Sequence, residues 1–182
     1  MPDLERVLVT SQLRLEPLLP LHAKYLFESL QEQRQYRFYA ATPPATLEEL
    51  KRRYELWASR KSPDATQTWL NYAVRREDGG VYVGWVQATI AGDVATIGYD
   101  IFPDFWRRGY ASEACGRLVR ALIDDLEINR IIAVVDTENV ASIRLLERLG
   151  FILTRTGPSE DMPGRQDHRY ELSVRKGTSR ER

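Results

Sequence analysis

The sequence predicts an α/β protein of the α+β kind, with a mixed, mostly antiparallel central sheet of about seven strands and about four helices. Two observations carry this. From Trp69 to Phe102 apolar residues recur with a period of two, interrupted by Asp78-Gly79-Gly80 and Gly92-Asp93, which is the pattern of an antiparallel meander. Residues 94–135 then run strand, helix, strand, which demands one parallel pair joined by a right-handed crossover.

The elements follow in order. Leu13 to Leu18 alternates and predicts a first strand. Pro20 opens a helix expected to carry Leu21, Leu26, Phe27 and Leu30 on one face. Residues 31–45 are polar and aromatic, with Tyr36, Phe38 and Tyr39 ahead of Pro43-Pro44. Thr46 and Glu49 have capping-box spacing and start a second helix with Leu50, Tyr54 and Trp57 on one side, ended by Ser62-Pro63. The meander strands are 69–75, 82–91 and 94–102. A third helix places Ala111, Ala114, Cys115, Leu118, Val119, Leu122 and Leu126 at helical spacing. Arg130 to Val135 is a continuous apolar run, expected to be a strand buried on both faces. Asn139 to Leu149 is a short helix stopped by Gly150, and 151–155 and 168–174 are the closing strands. The reading is one domain over 1–175, with a disordered polar tail at 176–182.

Composition excludes several functions. The 26 basic and 26 acidic side chains balance, which argues against a broad nucleic-acid-binding field. A lone cysteine, Cys115, rules out an internal disulfide framework and is expected to be a buried structural thiol. No apolar run approaches the length of about 20 residues that spans a bilayer, and the first residues lack a signal-peptide plan. The expectation is a cytoplasmic protein without nucleic-acid or membrane partners.

The most specific segment is Pro103-Asp-Phe-Trp-Arg-Arg-Gly-Tyr-Ala-Ser-Glu-Ala114, lying between a strand and a helix. The first N–H groups of a helix lack internal partners, and the helix dipole favours an anion there. Gly109 and Ala111 let a ligand come close, while Arg107 and Arg108 add charged donors. The segment therefore predicts a phosphate site. No Gly-x-x-x-x-Gly-Lys-Ser/Thr string exists, and one glycine after a meander does not make a dinucleotide fingerprint.

This segment resembles the pyrophosphate loop of the GNAT superfamily of acetyl-CoA-dependent N-acetyltransferases, in the form found in the RimJ/RimL-like branch, with Trp106 at the loop's first position. Val135 to Phe151 resembles the branch's Asn-x-x-Ser segment and Glu-Arg-Leu-Gly-Phe ending, and Thr10 to Pro17 its opening strand. The resemblance implies an acyl-CoA N-acyltransferase fold, its sheet splayed between the strand before the loop and the strand ending at Val135. It implies that acetyl-CoA is the cofactor, with pantetheine along the backbone of Ile101 and Phe102. Pyrophosphate is implied on Arg107, Arg108, Gly109, Tyr110, Ala111 and Ser112, with Asn139 and Ser142 beside the pantetheine and Asn139 also counted with the catalytic residues, as a contact to pantetheine or a shaper of the acceptor site.

The implied reaction is direct acetyl transfer to a primary amine, a protein N-terminus or a small molecule, by a monomer or homodimer. An amine with a pKa of about 8 to 10.4 must lose a proton, and the departing thiolate must gain one. Many members of the superfamily use a tyrosine for the second task, but Leu146 occupies that position, so Ser142 is the expected donor. Glu160 is the first choice of base, with Asp100, Asp161, Asp167 and His168 as alternatives. Backbone N–H groups near Ile101 and Phe102 are the implied oxyanion donors. Trp69 and Trp85 are expected to pack, Trp106 to anchor the loop, and Tyr36 to Tyr39 to lie near the acceptor. Arg144 and Arg148 are either phosphate contacts or solvated. The competing readings are an acyl-CoA-binding sensor without catalysis and a peptide-binding scaffold.

Overall fold

The structure, a computed structural model, describes residues 6–174. Its eight strands form one sheet: β1 (Leu8–Val9), β2 (Leu13–Pro17), β3 (Thr68–Arg76), β4 (Tyr82–Ala91), β5 (Val94–Ile101), β6 (Arg130–Asp136), β7 (Ile152–Pro158) and β8 (Gln166–Ser173). The spatial order is β1-β2-β3-β4-β5-β6-β8-β7, antiparallel everywhere except between β5 and β6. Four α-helices accompany it: α1 (Ala23–Leu26), α2 (Leu47–Ala58), α3 (Tyr110–Asp124) and α4 (Val140–Arg148). The predicted mixed sheet and helix number are therefore present, with the short β1 added. The expected tail at 176–182 lies outside the described residues. Among the described residues, no helix is long and apolar enough to cross a membrane.

Two cores sandwich the sheet. On one face Ala114, Leu118 and Leu122 of α3 and Leu145 and Leu146 of α4 pack on Val74, Val86, Ile97 and Ile131. On the other, Leu26 and Leu30 join Leu50 and Tyr54 of α2 over Ala73 and Phe102. Thr46 caps α2 by accepting from the Glu49 N–H at 3.1 Å, whereas the Glu49 carboxylate accepts from the Ala45 N–H.

Three expectations change. The segment after Pro20 begins as a 3-10 turn and makes only one α-turn, so the helical phase is lost and Leu21 is exposed. Leu126 lies beyond the end of α3, though still packed on the core. In β6 the expected burial on both faces holds for Ile131, Ala133 and Val135 toward α3 and for Ile132 and Asp136 on the opposite face, but not for Val134, which is 54% exposed.

Candidate functional site

The site begins where β5 and β6 part. They pair only from Val94–Thr96 to Arg130–Ile132. On its other side β5 stays zipped to β4 as far as the Ile101–Gly84 pair. Gly84 is required there, because a Cβ on it would lie 2.1 Å from the Asp100 carbonyl oxygen. A register shift in the β3–β4 ladder leaves Val83 unpaired just before it, and such a bulge bends the strand that carries it.

Phe102 N–H bonds the Val83 carbonyl at 2.9 Å. By the alternation of an antiparallel ladder, the backbone groups of Tyr99 and Ile101 therefore turn away from β4, into the splay. Of the expected pair, Ile101 turns toward the opening whereas the Phe102 N–H is engaged with β4, and Tyr99 is the other residue that turns into the splay. The Ile101 carbonyl accepts from the Trp106 indole N–H, so Trp106 anchors the loop as expected.

The loop leads directly into α3. Arg107 and Gly109 both have positive φ, at 61° and 82°. Gly109 is the N-cap of α3 in the left-handed conformation, and no side chain caps the helix. The N–H groups of Tyr110, Ala111 and Ser112 thus have no side-chain cap competing for them. Arg107 and Arg108 are exposed beside them. Arg148 reaches back from α4 to the Ser112 hydroxyl at 3.3 Å, which brings a further cation to the same helix start.

Glu113 fixes this end of α3 to the β1–β2 turn. Its carboxylate accepts from the Gln12 N–H at 2.9 Å, the Gln12 amide at 2.7 Å and the Ser11 hydroxyl at 3.1 Å. Burial opposes ionisation of Glu113, but these bonds outweigh it and hold the carboxyl below its usual value. Sequence reasoning gave Glu113 no role, because its partners are about one hundred residues away.

Across the splay, the Asn139 side chain accepts from the Ser142 N–H at 3.2 Å and caps α4. Leu146, at the family's tyrosine position, is 1% exposed in the core. A different tyrosine is present. The hydroxyl of Tyr99 is buried without a well-formed hydrogen bond and lies against Ser142. Period-two alternation from Ile97 and Ile101 points Tyr99 toward the α3 and α4 face, a signal available in the sequence. Cys115 is buried on the same side, where burial pushes its thiol well above the usual range.

The candidate bases separate clearly. Burial raises Asp100 from 3.8 to about 7, against the Tyr39 hydroxyl and the Ile101 N–H, which favour its charged form. Tyr39 donates to Asp100 Oδ2 at 2.9 Å. Glu160 is exposed on the β7–β8 connection and, among the described residues, makes no hydrogen bond or ion pair. His168 hydrogen-bonds Thr156 across β7–β8 and stands edge-on to Tyr170. That connection is tied down by Arg165, which pairs with the buried Asp136 and with Glu138 and lies over Phe38.

Asp100 points to the face opposite α3, across from Trp85. There, a cavity of about 630 Å³ opens beneath α2, lined by Tyr36, Tyr39, Tyr54, Trp57, Trp69 and Trp85 among others. Trp69 and Trp85, expected as packing, line this cavity, as do Tyr36 and Tyr39. Burial pushes the Tyr36 phenol up to about 12. An uncapped helix start, a splayed strand edge and a cavity thus meet around the end of β5, with a carboxylate of near-neutral pKa between the last two.

This combination places an uncapped helix start, an open strand edge and an aromatic cavity side by side. Residues 12–152 match the family model described as the acetyltransferase (GNAT) domain, and the chain belongs to that family. Over 57 residues it is 49% identical to the uncharacterized N-acetyltransferase YoaA of Bacillus subtilis (strain 168) and 46% identical to the uncharacterized N-acetyltransferase p20 of Bacillus licheniformis. Each match covers 31% of this chain and about a third, 32%, of the relative.

Solved structures share the fold. A RimL ribosomal L7/L12 α-N-protein acetyltransferase in complex with coenzyme A superposes with a TM-score of 0.81 at 16% identity, over 93% of this chain and 98% of that one. A GNAT-family acetyltransferase from Bacillus anthracis gives 0.76 at 18%, over 92% and 98%. A GCN5-related N-acetyltransferase from Brucella melitensis gives 0.74 at 24%, over 94% and 80%.

Proposed function

We propose that this chain is an acetyl-CoA-dependent N-acetyltransferase that passes the acetyl group directly to a primary amine in a ternary complex. The observation that carries this reading is the β5 edge beyond Thr96, which β6 leaves unpaired, running straight into the uncapped start of α3. An extended chain can add to such an edge while its phosphates take the helix N–H groups. The residues assigned to the cofactor are Ile101, Arg107, Arg108, Gly109, Tyr110, Ala111 and Ser112, with Asn139 and Ser142 across the splay and Tyr99 added. The finer parts of the reading are a RimJ/RimL-like branch, one domain over 1–175, and a cytoplasmic monomer or homodimer.

When bound, acetyl-CoA supplies an acetyl thioester. Asp100 takes the proton that the amine must lose, and its near-neutral pKa lets it do so at physiological pH. The Ile101 N–H, beside the Asp100 carboxylate, is the donor assigned to the developing oxyanion once that carboxylate has taken up the amine's proton, because the Phe102 N–H is bonded to Val83. Ser142 gives a proton to the departing thiolate as the carbon–sulfur bond breaks and the carbon–nitrogen bond forms. The Tyr99 hydroxyl stands beside it. Glu160, from its exposed loop, is the second candidate base.

The test is CoA thiol release from acetyl-CoA with an amine panel, alongside CoA affinity. Asp100→Asn is expected to lower kcat by about 100-fold, and Ser142→Ala by about 10-fold with CoA affinity unchanged. Glu160→Gln is expected to leave the pH profile in place. A large loss in Glu160→Gln with none in Asp100→Asn would exchange the two bases. CoA binding without release for every amine would instead support the sensor.

A further inference from the structure

The cavity beneath α2 restricts the acceptor, an inference that rests on the proposed transferase reading. Its wall contains, among the described residues, no aspartate, glutamate, lysine or histidine, and its single charged group is Arg53. Arg53 is held by Glu49 of the same helix at 2.7 Å, and Glu49 does not line the cavity. The remaining surface is aromatic and aliphatic, with amide side chains from Gln67, Asn71 and Gln87 and hydroxyls from Thr42 and Thr89. The Gln67 carbonyl accepts from the Trp69 indole at 3.2 Å. The one carboxylate of near-neutral pKa next to this cavity is Asp100, reached through Tyr39 at the β5 end.

One ammonium therefore has a place, against Asp100 and the faces of Tyr39 and Trp85. A second ammonium has none. Inside the cavity it would lose its hydration, meet no carboxylate and face the Arg53 guanidinium. A flat apolar body instead gains ring contacts with Trp57, Trp69 and Trp85, and a volume of about 630 Å³ accepts a molecule larger than a single amino acid. We infer that the acceptor is a monoamine on an aromatic or comparably bulky apolar body, and that polyamines and aminoglycosides are excluded.

The experiment measures kcat/KM for acetyl transfer to tryptamine and 2-phenylethylamine against spermidine, kanamycin and a polyalanine peptide with a free N-terminus. The aryl-alkyl amines are expected to exceed both polycations by about 100-fold, a difference of two decades in transition-state binding. Gln67→Glu keeps the acceptor for the Trp69 indole and adds a carboxylate to the wall, so it is expected to narrow that ratio by about tenfold. Asn71→Asp serves the same purpose if Gln67→Glu does not fold. The inference is overturned if spermidine, kanamycin or the peptide is the best acceptor, or if no amine in the panel is acetylated. Thermal stabilisation of the wild type by CoA is measured in parallel. If CoA stabilises the protein while the panel result is adverse, only the acceptor class fails. Absence of that shift removes the transferase reading as well.

Discussion

Asp100 is pulled in two directions. Its carboxyl ionises near 3.8 in an unfolded chain and near 7 in the folded one, because burial disfavours the charge. Between those values the folded state holds a proton that the unfolded state has lost. Stability therefore falls as pH rises from about 4 to 7, and the full penalty applies above 7. Asp100→Asn keeps an acceptor for Tyr39 and removes the charge. It is expected to raise Tm at pH 8 by several degrees, with no gain at pH 4, while abolishing most turnover. Equal Tm changes at both pH values would show that the carboxylate bears no such cost. The identity of Asp100 was legible in the sequence as one candidate among several. Its preference over Glu160 was not, because burial and the Tyr39 partner, 61 residues away, exist only after folding.

At the scale of elements, α3 is the part on which the site depends. Its helical spacing, its glycine entry and the basic turn before it were all readable, since they are local. What holds it in place was not. Glu113 gathers three hydrogen bonds from the turn at Ser11 and Gln12. Glu113→Ala is expected to lower stability by about 1–2 kcal/mol in urea unfolding and to weaken CoA binding several-fold, through a looser start of α3. Unchanged midpoint and unchanged affinity would together show that the helix start is held without it. The neighbouring helix α4 gives the converse lesson. Asn139 was read from the resemblance as a cofactor contact, and its oxygen also serves as the α4 cap.

For the whole molecule, the acid limb of stability is the informative measurement. Arg165, from the β7–β8 connection, holds the carboxyl of Asp136 below the usual carboxylate range, with the backbone N–H of Glu138 assisting and burial opposing. A lowered folded pKa contributes stability above the ordinary carboxylate value, and this is lost as pH falls through the folded one. Asp136→Asn is expected to flatten the loss of Tm between pH 5 and about 3. Arg165→Ala is expected to lower Tm at pH 7, by leaving the Asp136 carboxylate without its partner. Acid unfolding of Asp136→Asn indistinguishable from the wild type would place that limb elsewhere. The pair joins β6 to the β7–β8 connection, and the Arg165 guanidinium also lies over the Phe38 ring.

The sequence by itself determined the order of elements, the antiparallel meander with its one parallel crossover, and the uncapped helix start after Gly109. Each of these depends on residues close together in the chain: periodicity, turn chemistry and an uncapped helix end. Tertiary structure alone decided where β5 leaves β6 and that Tyr99 faces the splay rather than Phe102. It also made Trp69 and Trp85 the wall of a cavity and gave Asp100 a near-neutral pKa. Those properties arise from strand register and burial, which are set by partners distant in sequence.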